Sequence, residues 1–151
     1  MFEFAVTVFI AAGSVLLFGY WCRYTCLLIV SAKTALDYAG DVAAANHLSF
    51  PDIQSRLRDC NITDFDPLHT ALERDFDLIT YLLKNAAHST AGESSIETRM
   101  LTLNYRLLDV WYRVSRRFST GAACRALEDM SLVVAHFANV MGERNACASG
   151  A

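Results

Sequence analysis

The chain has 151 residues, enough for one domain of ordinary size. It is 54% hydrophobic and only 19% charged, against about a quarter charged in ordinary soluble domains. The formal net charge of −3 argues against nucleic-acid binding, and no recognition motif offsets it.

The apolar excess sits near the amino terminus. Residues 4–22, FAVTVFIAAGSVLLFGYWC, carry no charge. About 20 such residues at about 1.5 Å each cross a hydrocarbon core of about 30 Å. The segment therefore reads as a transmembrane anchor. A cleaved signal peptide would want a basic start and an apolar run of about 7–15 residues before a small-residue cleavage site. Here the start is Met1-Phe2-Glu3, the run is longer, and Val30-Ser31-Ala32 is the only passable site.

Arg23 interrupts the apolar run, and Tyr20, Trp21 and Tyr24 surround it. Aromatic residues gather at the membrane–water interface, and an arginine there reaches headgroup phosphates while its stem stays among apolar groups. These four residues are read as the interfacial belt. The rival is a longer tilted span with Arg23 inside it, an expensive arrangement that is usually functional. Leu27 to Val30 then lie beyond the hydrocarbon and need a cover. Only Glu3 precedes the span, whereas Arg23 and Lys33 come after it. The positive-inside rule places the amino terminus outside and the rest of the chain in the cytoplasm. The lack of a basic, serine-rich leader favours a bacterial inner membrane. Five cysteines, with no Cys-x-x-Cys, give no disulfide framework. Asn61-Ile62-Thr63 matches a glycosylation sequon, relevant only on a lumenal side.

Residues 31–46 read as a continuation of the same helix, weakened at Gly40 and ending near Asn46-His47, with Ala35, Tyr38, Val42 and Ala45 inward. Ser49-Phe50-Pro51-Asp52 is a helix start, and a short helix over about 51–60 faces Ile53 and Leu57 inward. Asp66, as N-cap before Pro67, opens the next helix. Its stripe Leu68, Leu72, Phe76, Ile79 and Leu83 recurs at helical period to about Ala87. Residues 88–94 are the clearest loop, and Ser94 or Ser95 caps the third bundle helix. On that helix Ile96, Met100, Leu103, Leu107, Val110 and Val114 form the expected core stripe, widened by Trp111 and Phe118. Tyr105 and Tyr112 fall on its flank. The helix ends near Ser119-Thr120-Gly121. The last helix carries Leu127, Met130, Val134, Phe137 and Met141, and the pattern fades at Gly142.

The expected fold is all-α: one N-terminal transmembrane helix continuing into a small antiparallel bundle of about four helices. The division is an anchor over 1–30, a cytoplasmic bundle over 31–145 and a frayed tail over 146–151.

Three constellations stand out. Ala5, Ala12, Gly19 and Cys26 repeat every seven residues and form a small-residue seam suited to a partner transmembrane helix. Arg99, Arg106, Arg113 and Arg117, with Arg116 beside them, share one face of the third bundle helix. They suit anionic lipid or an acidic protein patch, or else a solvated face with pairs such as Asp109–Arg113. Asp66, His69, Glu73 and Asp77 project from one side of the second bundle helix, and His136 with Asp129 lies on the last. A di-iron bundle would want Glu-x-x-His on two helices, which is absent, and haem ligation has no Cys-x-x-Cys-His support. No metal or cofactor is expected. Serine-hydrolase, phosphate-loop and zinc-protease motifs are also absent, so catalysis is not expected.

The sequence thus points to a non-catalytic single-pass membrane subunit or scaffold, with the lipid bilayer and other membrane-protein subunits as partners. The alternative is a membrane-anchored sensor bundle holding a small ligand or cofactor near His69 or His136.

Overall fold

A computed structural model describes residues 1–31, 37–58, 64–86 and 95–149. Lys33, Ala35, Cys60, the sequon at 61–63 and the loop at 88–94 lie outside them. The described residues form six helices and no strand: α1 (Phe2–Ser31), α2 (Ala39–Asn46), α3 (Phe50–Arg58), α4 (Asp66–Ala86), α5 (Ser95–Ser115) and α6 (Thr120–Ser149). The chain divides into two compact units, Met1–Lys33 and Thr34–Ala151.

The first unit is α1. Glu3–Ser31 is long and apolar enough to cross a membrane. Its apolar side chains are bare on all sides, from Phe4 and Phe9 through Leu16 to Trp21. The few hydroxyls inside the run are satisfied by the helix itself. Thr7 donates to the Glu3 carbonyl, Ser14 to Ile10 and Thr25 to Trp21, each at 2.9 Å. Such back-bonding to the carbonyl one turn earlier is what a hydroxyl needs where water is absent.

In the second unit α6 is the axis, and α2, α3, α4 and α5 all pack on it. Ala123, Leu127, Met130, Val134, Phe137 and Ala138 are buried along it. Small residues among the large ones let several helices approach one central helix. The stripe on α4 behaves as its period predicts: Leu68, Leu72, Phe76, Ile79 and Leu83 are all buried. Fully burying one leucine side chain contributes about 1.5–3 kcal/mol, so these stripes hold the unit together. Ile53 and Leu57 likewise face inward from α3.

Four local features differ from the sequence expectation. The helix leaving the apolar run does not reach Asn46 unbroken. Asp37 and Tyr38 are not helical, and Asp37 Oδ1 accepts the Ala39 N–H at 3.1 Å, which lets α2 start afresh. The inward residues of α2 are Ala39, Val42 and Ala43, whereas Ala45 is exposed. Asp66 does not cap α4. The Asp66 N–H instead donates to Asp64 Oδ1 at 3.1 Å, and the Asp66 side chain turns to α5. Finally, α6 is helical through Ser149, past the point where the apolar period fades.

Gly142 explains how α2 meets α6. A Cβ there would lie 2.3 Å from the Tyr38 Cβ and 3.2 Å from Val42 Cγ2. The start of α2 is pinned at the same place: the Tyr38 N–H donates to Asn139 Oδ1 at 2.7 Å. At the other end of α2 His47 adopts φ 54°, and the Leu48 N–H closes the helix on the Ala43 carbonyl at 2.9 Å.

The α3 start depends on a residue from another helix. Asp75 of α4 is fully buried. Its Oδ2 accepts the N–H groups of Ser49 at 2.6 Å and Phe50 at 2.9 Å. One carboxylate thus satisfies two otherwise orphaned donors.

Candidate functional site

The α5 helix carries two apolar stripes on opposite sides. Leu101, Tyr105, Leu108 and Tyr112 step four, three, four, and all are buried. Leu103, Leu107, Val110 and Val114 step four, three, four as well, and all are exposed, together with Ile96, Trp111 and Phe118. The expected inward face is therefore the outward one. Tyr105 and Tyr112, expected on a flank, are core residues.

Aromatic contacts decide which stripe is buried. Tyr105 stacks on Phe76 of α4 at 3.7 Å between ring centres with planes 1° apart, and Phe76 meets Phe137 of α6 at 5.9 Å. Tyr112 stacks on His69 at 4.4 Å. Broad flat rings fill the space between α4 and α5, and such pairs add about 0.5–1.5 kcal/mol beyond their buried area. Burial pushes the Tyr105 hydroxyl far above its ordinary pKa, and the carboxylates of Glu73, Asp109, Asp77 and Asp75 push it further.

A polar ladder runs along the α4–α5 seam. His69 Nε2 meets Asp109 Oδ1 at 2.6 Å. Arg113 donates to Asp109 at 3.0 Å and to Glu73 at 2.9 Å. Arg116 pairs with Asp66, which also accepts from the Tyr112 hydroxyl at 3.2 Å. The Arg113 bonds, that to Asp109 first, raise its already high pKa. Of the face expected on α4, Asp66, His69 and Glu73 thus bridge to α5, whereas Asp77 is exposed. The ligand atoms of His69, Glu73 and Asp109 all lie within 4.8 Å of one another, a spacing open to a metal ion. Arg113 already bonds both carboxylates, so its guanidinium is the cation of this cluster. His136 lies apart, 3.3 Å from Glu97.

The five candidate arginines therefore divide. Arg113 and Arg116 are tied into the seam. Arg99, Arg106 and Arg117 are exposed and form no ion pair among the described residues. At about 100° per residue Arg99 and Arg106 lie along one edge of the bare stripe, and Arg117 and Phe118 follow in the turn just past the end of α5. The surface they make combines leucine, valine, tryptophan and phenylalanine with a one-sided basic border. Only Glu97 and Asp109 supply acids to α5, and both have partners in the bundle.

On α1 the aromatic belt residues Tyr20, Trp21 and Tyr24 are exposed, as is Arg23. Tyr20 and Tyr24 stack at 6.5 Å. Of the small-residue seam, Ala5, Ala12 and Gly19 are exposed and Cys26 is buried. Leu27 and Leu28, expected to need a cover, are more than two-fifths exposed. A cavity of about 620 Å³ lies elsewhere, lined by Leu57, Arg58, Phe65, Cys124, Arg125 and Glu128 among others; neither His69 nor His136 lines it.

No sequence signal had marked Asp75. Its helical position was the available clue: of Glu73, Asp75 and Asp77, Asp75 alone falls on the face of Leu72, Phe76 and Ile79 that turns to the core. Comparison of the chain with protein-family models, with curated proteins and with solved structures finds no match.

Proposed function

We propose that this chain is a non-catalytic, single-pass membrane subunit that docks on a partner subunit through its anchor and presents the bare face of α5 as a second contact surface. The observation that carries the reading is the uncovered apolar span of α1, with its exposed small-residue seam, and a second apolar stripe on α5 adds to it. Leu103, Leu107, Val110, Trp111 and Val114 are exposed together on one side of a helix whose opposite stripe is buried, and the exposed Phe118 follows in the turn after it. Contiguous exposed apolar surface of this kind marks an interaction site.

Support for the membrane comes from α1. A core helix of a soluble protein is mostly covered by its own chain, whereas this apolar span is uncovered and its hydroxyls are satisfied internally. The one-sided cations Arg23 and Lys33 favour a cytoplasmic bundle. The exposed Ala5, Ala12 and Gly19 give a second membrane subunit room for close helix approach. The clustered polar groups His69, Glu73, Asp109, Arg113, Asp66 and Arg116 hold α4 to α5, which favours an architectural role over a catalytic one.

The test is extraction from the native membrane in mild detergent, with sizing and protein analysis of the extract. The expected result is a complex with one membrane protein in fixed ratio. Gly19→Leu is expected to release that protein while leaving the bundle's unfolding transition in place. A lone monomer with no stoichiometric companion counts against the reading.

A further inference from the structure

The α5 face has a composition that selects its occupant. A globular apolar partner would suit the stripe Leu103, Leu107, Val110, Trp111 and Val114 and the Phe118 that follows it, yet it would leave Arg99 and Arg106 at its edge and Arg117 in the turn beyond without counter-charge. A second copy of this chain has the same difficulty, because α5 offers no unengaged acid to answer those arginines. An antiparallel pairing of two α5 helices would also bring the two arginine rows to the same side. A bilayer surface meets both needs at once: hydrocarbon for the stripe and phosphate for the guanidinium groups.

We propose that α5 lies in the headgroup region of an anionic bilayer, with Trp111 and Phe118 at the acyl boundary and Arg99, Arg106 and Arg117 on lipid phosphates. The proposal rests on the reading of α1 as a membrane anchor. Ser31 and Asp37 are six residues apart in sequence. Whatever the conformation between them, that length of chain reaches no more than about 22 Å. The membrane that holds α1 is therefore always present at high effective concentration for the bundle. Long arginine side chains at the edge of an apolar stripe suit this depth, since their stems lie along hydrocarbon while the heads stay at the phosphates.

The chemistry makes the docked state sensitive to lipid charge. A cation near an anionic surface gains roughly 1 kcal/mol, which is about a fivefold change in equilibrium. Removing three such arginines is expected to lower the docked-to-undocked ratio about a hundredfold.

The experiment uses the full chain with Trp21→Phe, which leaves Trp111 as its single tryptophan. It is reconstituted into vesicles of phosphatidylcholine alone, or of phosphatidylcholine with one-third phosphatidylglycerol, each carrying a shallow brominated lipid. An alkaline carbonate wash comes first. A chain released by that wash overturns the anchor reading on which the proposal rests. For chain that is retained, the expected result is a blue-shifted Trp111 emission strongly quenched by brominated lipid on the anionic vesicles. The quenching should be weak on the neutral ones and lost in high salt. Arg99→Gln, Arg106→Gln and Arg117→Gln together are expected to abolish the quenching while the unfolding transition stays unchanged. Equal quenching on both vesicles, or none on either, overturns lipid docking and leaves the anchor standing. Shielding of Trp111 in detergent that grows with protein concentration assigns the face to a second copy and likewise overturns it.

Discussion

Asp75 shows how much one buried side chain can govern. Its Oδ2 takes two backbone N–H groups at the start of α3, and its Oδ1 has no partner among the described residues. Asp75→Ala orphans both donors in the interior and is expected to cost about 2–4 kcal/mol in urea unfolding. Asp75→Asn keeps an acceptor and is expected to cost less than about 1.5 kcal/mol. Burial raises the pKa of this carboxyl, and the two N–H bonds with Arg74 only partly oppose it. The native state thus holds the proton more tightly than the unfolded chain does. The resulting stability is present below the ordinary carboxylate pKa and is lost as pH rises through the raised one. The difference in unfolding free energy between wild type and Asp75→Asn should shift in the wild type's favour as pH falls through that window. A difference independent of pH contradicts this account. Glycines divide at the same scale. Gly142→Ala drives a Cβ into Tyr38 and is expected to cost about 1–3 kcal/mol, whereas Gly40, with open space at its Cβ, tolerates alanine with a gain of about 0.5–1 kcal/mol. Thermal unfolding of the two variants checks the pair.

The stripes on α4 and α6 were legible in the sequence because each of those helices has one dominant apolar face, and every member is buried except Met141, which is half-buried. The α5 helix was not legible in the same way. Leu101, Tyr105, Leu108 and Tyr112 have the same spacing as Leu103, Leu107, Val110 and Val114, so periodicity alone cannot say which faces the core. Tyrosine rings that stack on Phe76 and His69 decide it, and those contacts join residues distant in sequence. The arginine face was visible as a pattern, but its division into seam and edge depends on where Asp66, Glu73 and Asp109 sit. The break before α2 is hidden for a local reason, since Asp37 and Tyr38 interrupt an alanine-rich stretch that has no proline. A direct comparison tests the reversed faces. Leu101 is fully buried, and Leu101→Ala is expected to cost about 2–5 kcal/mol. Leu107 is 59% exposed, and Leu107→Ala is expected to stay within about 0.5 kcal/mol. Denaturant unfolding of the chain in micelles reads both. Equal losses would mean that α5 has been turned the wrong way.

At the scale of the whole molecule the chain has two kinds of uncovered apolar surface. The α1 helix is bare on all sides from Phe4 to Trp21, and α5 is bare along one stripe with a basic edge. An all-α fold with one helix long enough to cross a membrane was readable from the sequence, through the uncharged run at residues 4–22 and the helical periods beyond it. We join the two surfaces through a single solvent, with lipid around α1 and at the face of α5. The most direct measurement is protease protection of the chain in sealed membranes, read after an alkaline carbonate wash that removes peripheral proteins. The chain is expected to stay in the pellet, with the bundle protected in intact spheroplasts and digested in inverted vesicles, leaving a fragment from the α1 region. Release of the intact chain by carbonate, or digestion of the bundle from the outside of spheroplasts, would contradict the account.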